Sequence, residues 1–475
     1  MDSGAADQSG FPGAKSAWGA TLVLTLLYWF GTLDRQMSVL LVTPIKQYLK
    51  LSDVEVSLIY GMAFALFYML ASFPIGWLVD RIPRRRILFW GAVIWASAAS
   101  ASGLTRSFSQ LFGARAIVGA GEATLHPTTF SILADLFPPG RLALPLTVFV
   151  LGSCLGSGMS FILGGTLVAW ADGHAPFTLP LIGEVVGWQF AFIVTGFPGL
   201  LVAATIFLVP EPLRRRSPAA GDGGNDLGGL WRCYRSHLSF YIFHVLGFGL
   251  VMMFVIGLMA WNPAFLTRHH GWDIARIGRW VGFTQIGAAL LGLTMHGWVV
   301  DWLFRKGRQD AHMIYFTVMA LLACPAAVAA YLVESPYLML ALFTFAYFCV
   351  MAYPAIGPAS LQIATPPELR GKISAIYMII VNLIGTVGGP LTVAMFTDHL
   401  FRNEAELGYS MSLFAGITTL AAASFFWFGC GPMRLAIQCQ HVDRLDRRDN
   451  KMADSISSAS GCIDRRGDVM RSGVH

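Results

Sequence analysis

Apolar residues run along this chain in blocks of roughly twenty or more, the length a helix needs to cross hydrocarbon, and short polar or charged intervals close each block. The pattern predicts twelve membrane-spanning helices, at 18–42, 53–79, 86–105, 108–135, 142–170, 188–209, 238–266, 277–301, 311–333, 336–363, 372–398 and 408–430. Between the sixth and the seventh, residues 210–226 are rich in proline, glycine and charge, which marks a linker. The layout is therefore an N-terminal tail (1–17), a six-helix half (18–209), a cytoplasmic linker (210–236), a second six-helix half (237–431) and a tail (432–475). The tail turns polar, with serines and interleaved Arg and Asp, and is expected to be disordered.

Composition supports an all-α polytopic membrane protein. Of 475 residues 55% are hydrophobic and 13% charged, and the mean hydropathy is +0.60, far too apolar for a soluble domain of this length. Residues 1–16 are polar and mixed in charge, without the pattern of a signal peptide, so the first span is expected to stay in the mature protein. With both termini on one side, the loops of that side hold roughly twice as many Lys and Arg as the opposite loops, which predicts cytoplasmic termini in an inner or plasma membrane. That asymmetry accounts for the net charge of +6 without a nucleic-acid partner. The seven cysteines follow neither a disulfide nor a zinc spacing and read as small apolar residues. No metal or cofactor is expected.

The two halves echo each other. Gly-Trp-Leu-Val-Asp-Arg at 76–81 returns as Gly-Trp-Val-Val-Asp-Trp at 297–302, each after the second span of its half and each followed by basic residues. Phe-Pro-Pro-Gly-Arg at 137–141 pairs with Pro-Pro-Glu-Leu-Arg-Gly at 366–371. The two offsets agree within a loop's length, as a duplication requires. Two parallel halves that rock about a central site are the architecture of a transporter.

At these motifs the sequence resembles the major facilitator superfamily, whose signature loop matches Gly-x-x-x-Asp-Arg-x-x-Arg-Arg after span two. Leu-Asp-Arg (33–35), Leu-Ser-Asp (51–53), Ala-Phe-Ala-Leu-Phe-Tyr (63–68), Pro-Ile-Gly-Trp-Leu (74–78), Val-Gly-Ala-Gly-Glu-Ala (118–123) and Asp-Leu-Phe-Pro-Pro (135–139) are similar to the spinster-like branch. That branch often carries an asparagine just before Leu-x-Asp-Arg, where Gly31 and Thr32 stand here. The resemblance is dense over 20–212 and generic beyond it. It implies two pseudo-symmetric six-helix halves, a working monomer, and proton-driven export or exchange of lysolipids, sphingoid phosphates or related amphiphiles.

Charges inside the spans are the candidate machinery, because an ionised side chain at mid-membrane costs about 3 kcal/mol or more and is kept only where it pairs or lines a wet cavity. At 100° per residue Arg115, Glu122 and His126 fall within roughly 40° of one another on span four. Asp34 on span one lies at the depth of Arg115 and is expected to pair with it as a gate on the outer side. Glu122, roughly 10 Å further along the axis, is expected among glycines and apolar residues, and is the proposed proton carrier. His126 either extends the relay or packs before Pro127. Arg35, turned about 100° from Asp34, must take a different partner, either an anionic substrate or the bundle. A purely structural lock between spans one and four is the competing reading of all these charges.

The second half offers uncharged candidates for a substrate headgroup: Asn262, Gln285, Gln362 and Asn382, for each of which helix packing is the alternative. His244 and His296 read as packing residues. In the signature loop Gly76 would allow close helix approach, Asp80 would end span two, and Arg81, Arg84 and Arg85, with Asp301 in the second copy, would latch the cytoplasmic side by reaching the other half. Glycines 152, 156, 158, 164 and 165 of span five permit close packing. Arg268, Arg276 and Arg279 look peripheral. No hydrolase elbow, zinc-protease motif or phosphate loop is present, and Gly119–Gly121 lacks the strand of a dinucleotide site. The chain therefore reads as a secondary transporter for an amphiphile, with a proton-coupled organic-anion symporter as the alternative and a membrane-embedded enzyme or sensor as a remote one.

Overall fold

The computed structural model describes residues 12–79, 81–138, 141–179, 183–209, 211–212, 235–366 and 369–471, with side chains described except at 143, 151, 154, 293, 294, 371 and 440–471. Each predicted span is helical. The helices are α1 (Ala14–Leu40), α2 (Asp53–Val79), α3 (Arg84–Ser102), α4 (108–136), α5 (Ala143–His174), α6 (Gly187–Thr205), α7 (Leu238–His270), α8 (Ile274–Arg305), α9 (Ala311–Ala330), α10 (Pro336–Ile363), α11 (Lys372–Phe401) and α12 (Leu407–Arg471). A short helix, Val42–Leu49, follows α1, and a two-stranded hairpin of β1 (Phe177–Leu179) and β2 (Gly183–Val185) joins α5 to α6. Ten helices among the described residues are long and apolar enough to cross a membrane. The other two are α3, which opens on three arginines, and α4, which carries Arg115, Glu122 and His126.

Local chemistry shapes the site helix. Pro127 has no N–H to give the carbonyl of Ala123, so α4 divides into Phe108–Glu122 and Leu125–Leu136. Thr124 Oγ1 donates to Gly121 O (2.8 Å) across the break.

The tail departs from expectation. The backbone of α12 stays helical to Arg471, through the stretch whose composition predicts disorder; no glycine or proline interrupts residues 433–460. The linker lies outside the described residues over 213–234.

Buried side chains form two clusters. One fills the first lobe along α1, α3 and α4. The other fills the second lobe and extends into the first through Met37, Leu40, Ile45, Ile59 and Phe161, all at the end of the bundle opposite the N-terminal start of α1. We call this the far end. The span-five glycines sort onto two faces: a Cβ added at Gly152, Gly156 or Gly164 would strike Thr25, Trp29 or Met37 of α1, whereas Gly158 and Gly165 pack backbone to backbone against Gly282 and Gly278 of α8 in the second lobe. A second cross-lobe contact brings Gly61, in a π-helical turn of α2, against the carbonyl of Thr386, in a π-helical turn of α11. The lobes are thus fused at the far end.

An added Cβ at Gly278 would lie 2.2 Å from Phe161 O. Gly278→Ala is therefore expected to cost about 1–3 kcal/mol through overpacking, seen as a thermal unfolding midpoint lower by a few degrees and a longer distance between spin labels at Lys50 and Asn403.

Candidate functional site

Two ion pairs cross between α1 and α4. Asp34 pairs with Arg115, as the depth of the two residues predicts, and both are almost fully buried. Arg115 also donates from Nη1 to Ser38 Oγ at 2.7 Å. One residue on, Arg35 turns the other way and its Nη1 reaches Glu122 Oε2 at 3.4 Å. Helical side chains lean toward their own N-terminus, so Arg35 reaches down α1 to the deeper carboxylate. Glu122 is consequently not surrounded by apolar groups alone. Its carboxyl rests against Gly31, one turn below Arg35, where an added Cβ would approach Cδ and Oε1 to 3.4 Å.

The two pairs differ. Asp34 and Arg115 expose 5% and 3% of their side chains. Arg35 exposes 31% of its side chain, stands over the Phe64 ring at 5.5 Å, and donates weakly to Thr32 Oγ1 at 3.4 Å. Glu122 Oε1 is buried and has no hydrogen-bond partner. The neighbouring Gln36 donates to Ser157 Oγ (2.6 Å), which donates to Gln285 Oε1 (2.9 Å) of the second lobe. Gln36 therefore lies on the seam between the lobes, and Arg35 beside it in sequence keeps part of its side chain exposed. His126 makes a 3.0 Å hydrogen bond with Tyr68 through Nδ1 and meets Tyr28 edge-on at 4.8 Å; no contact joins it to Glu122.

The second-lobe candidates separate. Gln285 is buried at the seam with Nε2 unpartnered. Asn262 is buried inside the second lobe, accepting from Tyr331 Oη at 2.7 Å. Gln362 and Asn382 are exposed, and Asn382 donates to Met378 O of its own helix. His244 bonds Ser360 Oγ at 2.8 Å and the Gly357 carbonyl, and His296 bonds Tyr315 and the Phe348 carbonyl.

The signature loop works differently from expectation. Asp80 lies outside the described residues. Gly76 is exposed, and an added Cβ there meets nothing within 4 Å, so it serves no close approach. Arg81 folds back on its own helix, over the Trp77 ring at 3.9 Å and onto Trp77 O. Arg84 is fully buried and joins Asp135 and Ser131 of the first lobe and Glu211 and the Pro212 carbonyl at the start of the linker. Arg85 also takes Glu211. These arginines clamp α3 and α4 to the start of the linker, and Asp301 accepts from Arg305 Nε through its backbone carbonyl.

Polar contacts between the lobes gather at the far end, where sequence reading places only peripheral charges. Arg268 of α7 grips Asp53 at the start of α2 with two 2.9 Å hydrogen bonds. Lys46 binds the same Asp53 and also Glu404 (2.7 Å) of the second lobe. The Val54 N–H donates to Asp398 Oδ2 at 2.9 Å, and Ser57 Oγ to the Pro390 carbonyl at 3.1 Å. Asp34 and Arg115 both belong to the first lobe, so their pair cannot itself bridge the lobes; the Asp53–Arg268 pair does. Among the described residues no group of three or more His, Cys, Asp or Glu could hold a metal ion.

Residues 24–390 match the family described as the Major Facilitator Superfamily. The chain is 28% identical over 427 residues to an MFS-type efflux pump of Mycolicibacterium smegmatis, covering 89% of this chain and 94% of that one. It is 25% identical over 412 residues to a D-galactonate transporter of Escherichia coli, covering 80% and 90%, and 22% identical over 419 residues to Protein spinster of Drosophila melanogaster, covering 84% and 66%. A crystal structure of a bacterial homolog of the human lysosomal transporter Spinster, inward-facing and unoccupied, superposes with a TM-score of 0.74 at 24% identity, over 90% of this chain and 98% of that one.

Breaking a buried pair costs about 3–5 kcal/mol because the remaining charge is left uncompensated. Arg268→Gln is therefore expected to loosen the far end, adding a longer population to the Lys50–Asn403 spin-label distances. Arg81→Gln, which removes no contact between lobes, is expected to leave that distribution unchanged.

Proposed function

The chain belongs to the Major Facilitator Superfamily and is a multi-pass membrane transporter rather than an enzyme, and from that premise we propose that it is a proton-coupled secondary transporter moving an amphiphile with an anionic headgroup, of lysolipid or sphingoid type, by alternating access. The reading rests on one observation above the others: Arg35 is partly exposed while it holds one oxygen of a buried carboxyl whose other oxygen has no hydrogen-bond partner among the described residues.

The coupling follows from competition for that guanidinium. An anionic headgroup arriving in the seam offers Arg35 a charge-assisted partner in place of Glu122. Glu122 would then be an unpaired charge in a low-dielectric interior, and binding a proton removes that cost. Cargo on Arg35 and a proton on Glu122 thus arrive together, and departure of either restores the pair. Asp34 and Arg115 keep the helices in register meanwhile. The outer gate is the far-end cluster of Asp53, Lys46, Arg268 and Glu404, with the far end outside because the basic loops lie at the other end. His126 and Tyr68 pack beneath the site, and one chain supplies the whole passage, so a monomer suffices.

The second lobe favours an amphiphile. Asn262 accepts from Tyr331 inside the second lobe and Arg268 is bonded to Asp53, so of the four uncharged candidates Gln285 is the one placed at the seam. Similarity to the D-galactonate transporter supports a second reading, a small organic anion on Arg35.

Uptake into proteoliposomes under an imposed pH gradient, with labelled lysophospholipid and D-galactonate in parallel, separates the two. Lysophospholipid is expected to move and to follow the gradient. Glu122→Gln should still bind but lose pH dependence, Asp34→Asn should keep it at a lower rate, and Arg35→Gln should weaken binding by about 10- to 100-fold. Movement of D-galactonate alone would establish the second reading, and pH dependence lost in Asp34→Asn but kept in Glu122→Gln would reverse the assignment.

A further inference from the structure

Four residues at the far end of α8 form a surface site unconnected with the passage. Arg276, Arg279, Trp280 and Phe283 line a crevice of about 340 Å³. On a helical wheel they fall within roughly 100° of one another, on a side turned away from Gly278 and Gly282, which pack against α5. The crevice therefore opens away from the lobe contact, toward the bilayer.

Its two halves differ in chemistry. At the rim Arg276 is held in place: its guanidinium lies over Trp272 at 4.3 Å, and its Nη2 donates to Tyr337 Oη at 2.6 Å. Tyr337 is itself wedged between Trp272 and Trp280, with ring centroids at 5.5 and 5.2 Å. Arg279, one turn on, is exposed and makes no salt bridge among the described residues. The nearby acid, Asp273, accepts from the Arg276 backbone N–H as the helix cap. Below the rim, Trp280 and Phe283 are 44% and 63% exposed and continue the same stripe deeper into the hydrocarbon.

Two arginines at this position run against both general biases. Cations in the first turns of a helix oppose its dipole, and the end of the bundle away from the basic loops is the one where Lys and Arg are scarce. Among the described residues neither Arg276 nor Arg279 forms a salt bridge. A phosphate in the crevice would satisfy both guanidinium groups at once.

We propose that this crevice is a binding site for an anionic phospholipid of the far-end leaflet, its phosphate between Arg276 and Arg279 and an acyl chain along Trp280 and Phe283. The occupant is a lipid rather than free phosphate because the apolar half of the crevice continues directly from the cationic half. The Trp272–Tyr337–Trp280 cluster presets Arg276 for the headgroup.

The test is native mass spectrometry and thermal unfolding of the purified full chain in detergent, titrated with 1-palmitoyl-2-oleoyl phosphatidylglycerol or the matching phosphatidylcholine. The wild type is expected to retain phosphatidylglycerol selectively and unfold at a higher temperature with it. Arg279→Gln removes a side chain without a salt-bridge partner and so spares the fold; it should weaken retention roughly five- to tenfold, with Arg279→Lys recovering part of it. Trp280→Ala should weaken retention, and Lys306→Gln, at the opposite end, should not. Equal retention of the two lipids, unchanged retention in Arg279→Gln, or an equal thermal shift with inorganic phosphate would overturn the proposal.

Discussion

Asp34, Arg35, Arg115 and Glu122 lie well inside the membrane-spanning part of the first lobe, and hydrocarbon tolerates them only because α1 and α4 exchange charges in opposite senses. Asp34 goes to Arg115 and Arg35 to Glu122. Removing any one of the four would leave its partner uncompensated in a low-dielectric interior, a penalty comparable to a large part of a protein's net stability. The α1–α4 contact is therefore tightly constrained, and what surrounds it follows: Gly31 makes room for the Glu122 carboxyl, Ser38 takes a second Arg115 donor, and the break before Pro127 ends the helix just past the acid.

The two pairs are unequal in a useful way. Asp34–Arg115 is sealed, bidentate and backed by Ser38, so it suits a permanent fastening. Arg35–Glu122 is longer, one-sided and partly exposed, so a ligand can compete for it. In the proposed cycle, a rigid pair beside an exchangeable one would let the site change its charge state without the lobe losing its register. The lobes themselves are held elsewhere: glycine backbones in α5 and α8 allow contact too close for side chains, and the Asp53–Arg268 grip adds directional bonds at the same end. Opening the far end must break both at once.

Much of this was legible in the sequence. Hydrophobic runs gave the twelve helices, depth counting along spans one and four paired Asp34 with Arg115, and the 100° offset of Arg35 excluded it from that pair. The acid it chose was not readable, because the answer depends on a long side chain leaning one turn back along α1 and on the space left by Gly31. The far-end cluster was invisible for another reason. Lys46, Asp53, Arg268 and Glu404 each look like an ordinary charge at a membrane boundary, and only the fold brings residues more than two hundred positions apart together. The contacts of the signature arginines were not readable either: a long guanidinium beside a loop can reach many acids, and here Arg84 takes Asp135 and Ser131 of the first lobe and Glu211 and Pro212 at the start of the linker.

The central claim is that cargo and proton displace each other's partner at Arg35 and Glu122. Infrared difference spectroscopy on the purified protein measures it directly, by recording the carboxyl C=O stretch as lysophospholipid is added at constant pH. The expected result is a new band from a protonated carboxyl that appears with lysophospholipid and is missing in Glu122→Gln. A spectrum unchanged by lysophospholipid, or a band that persists in Glu122→Gln, would contradict it.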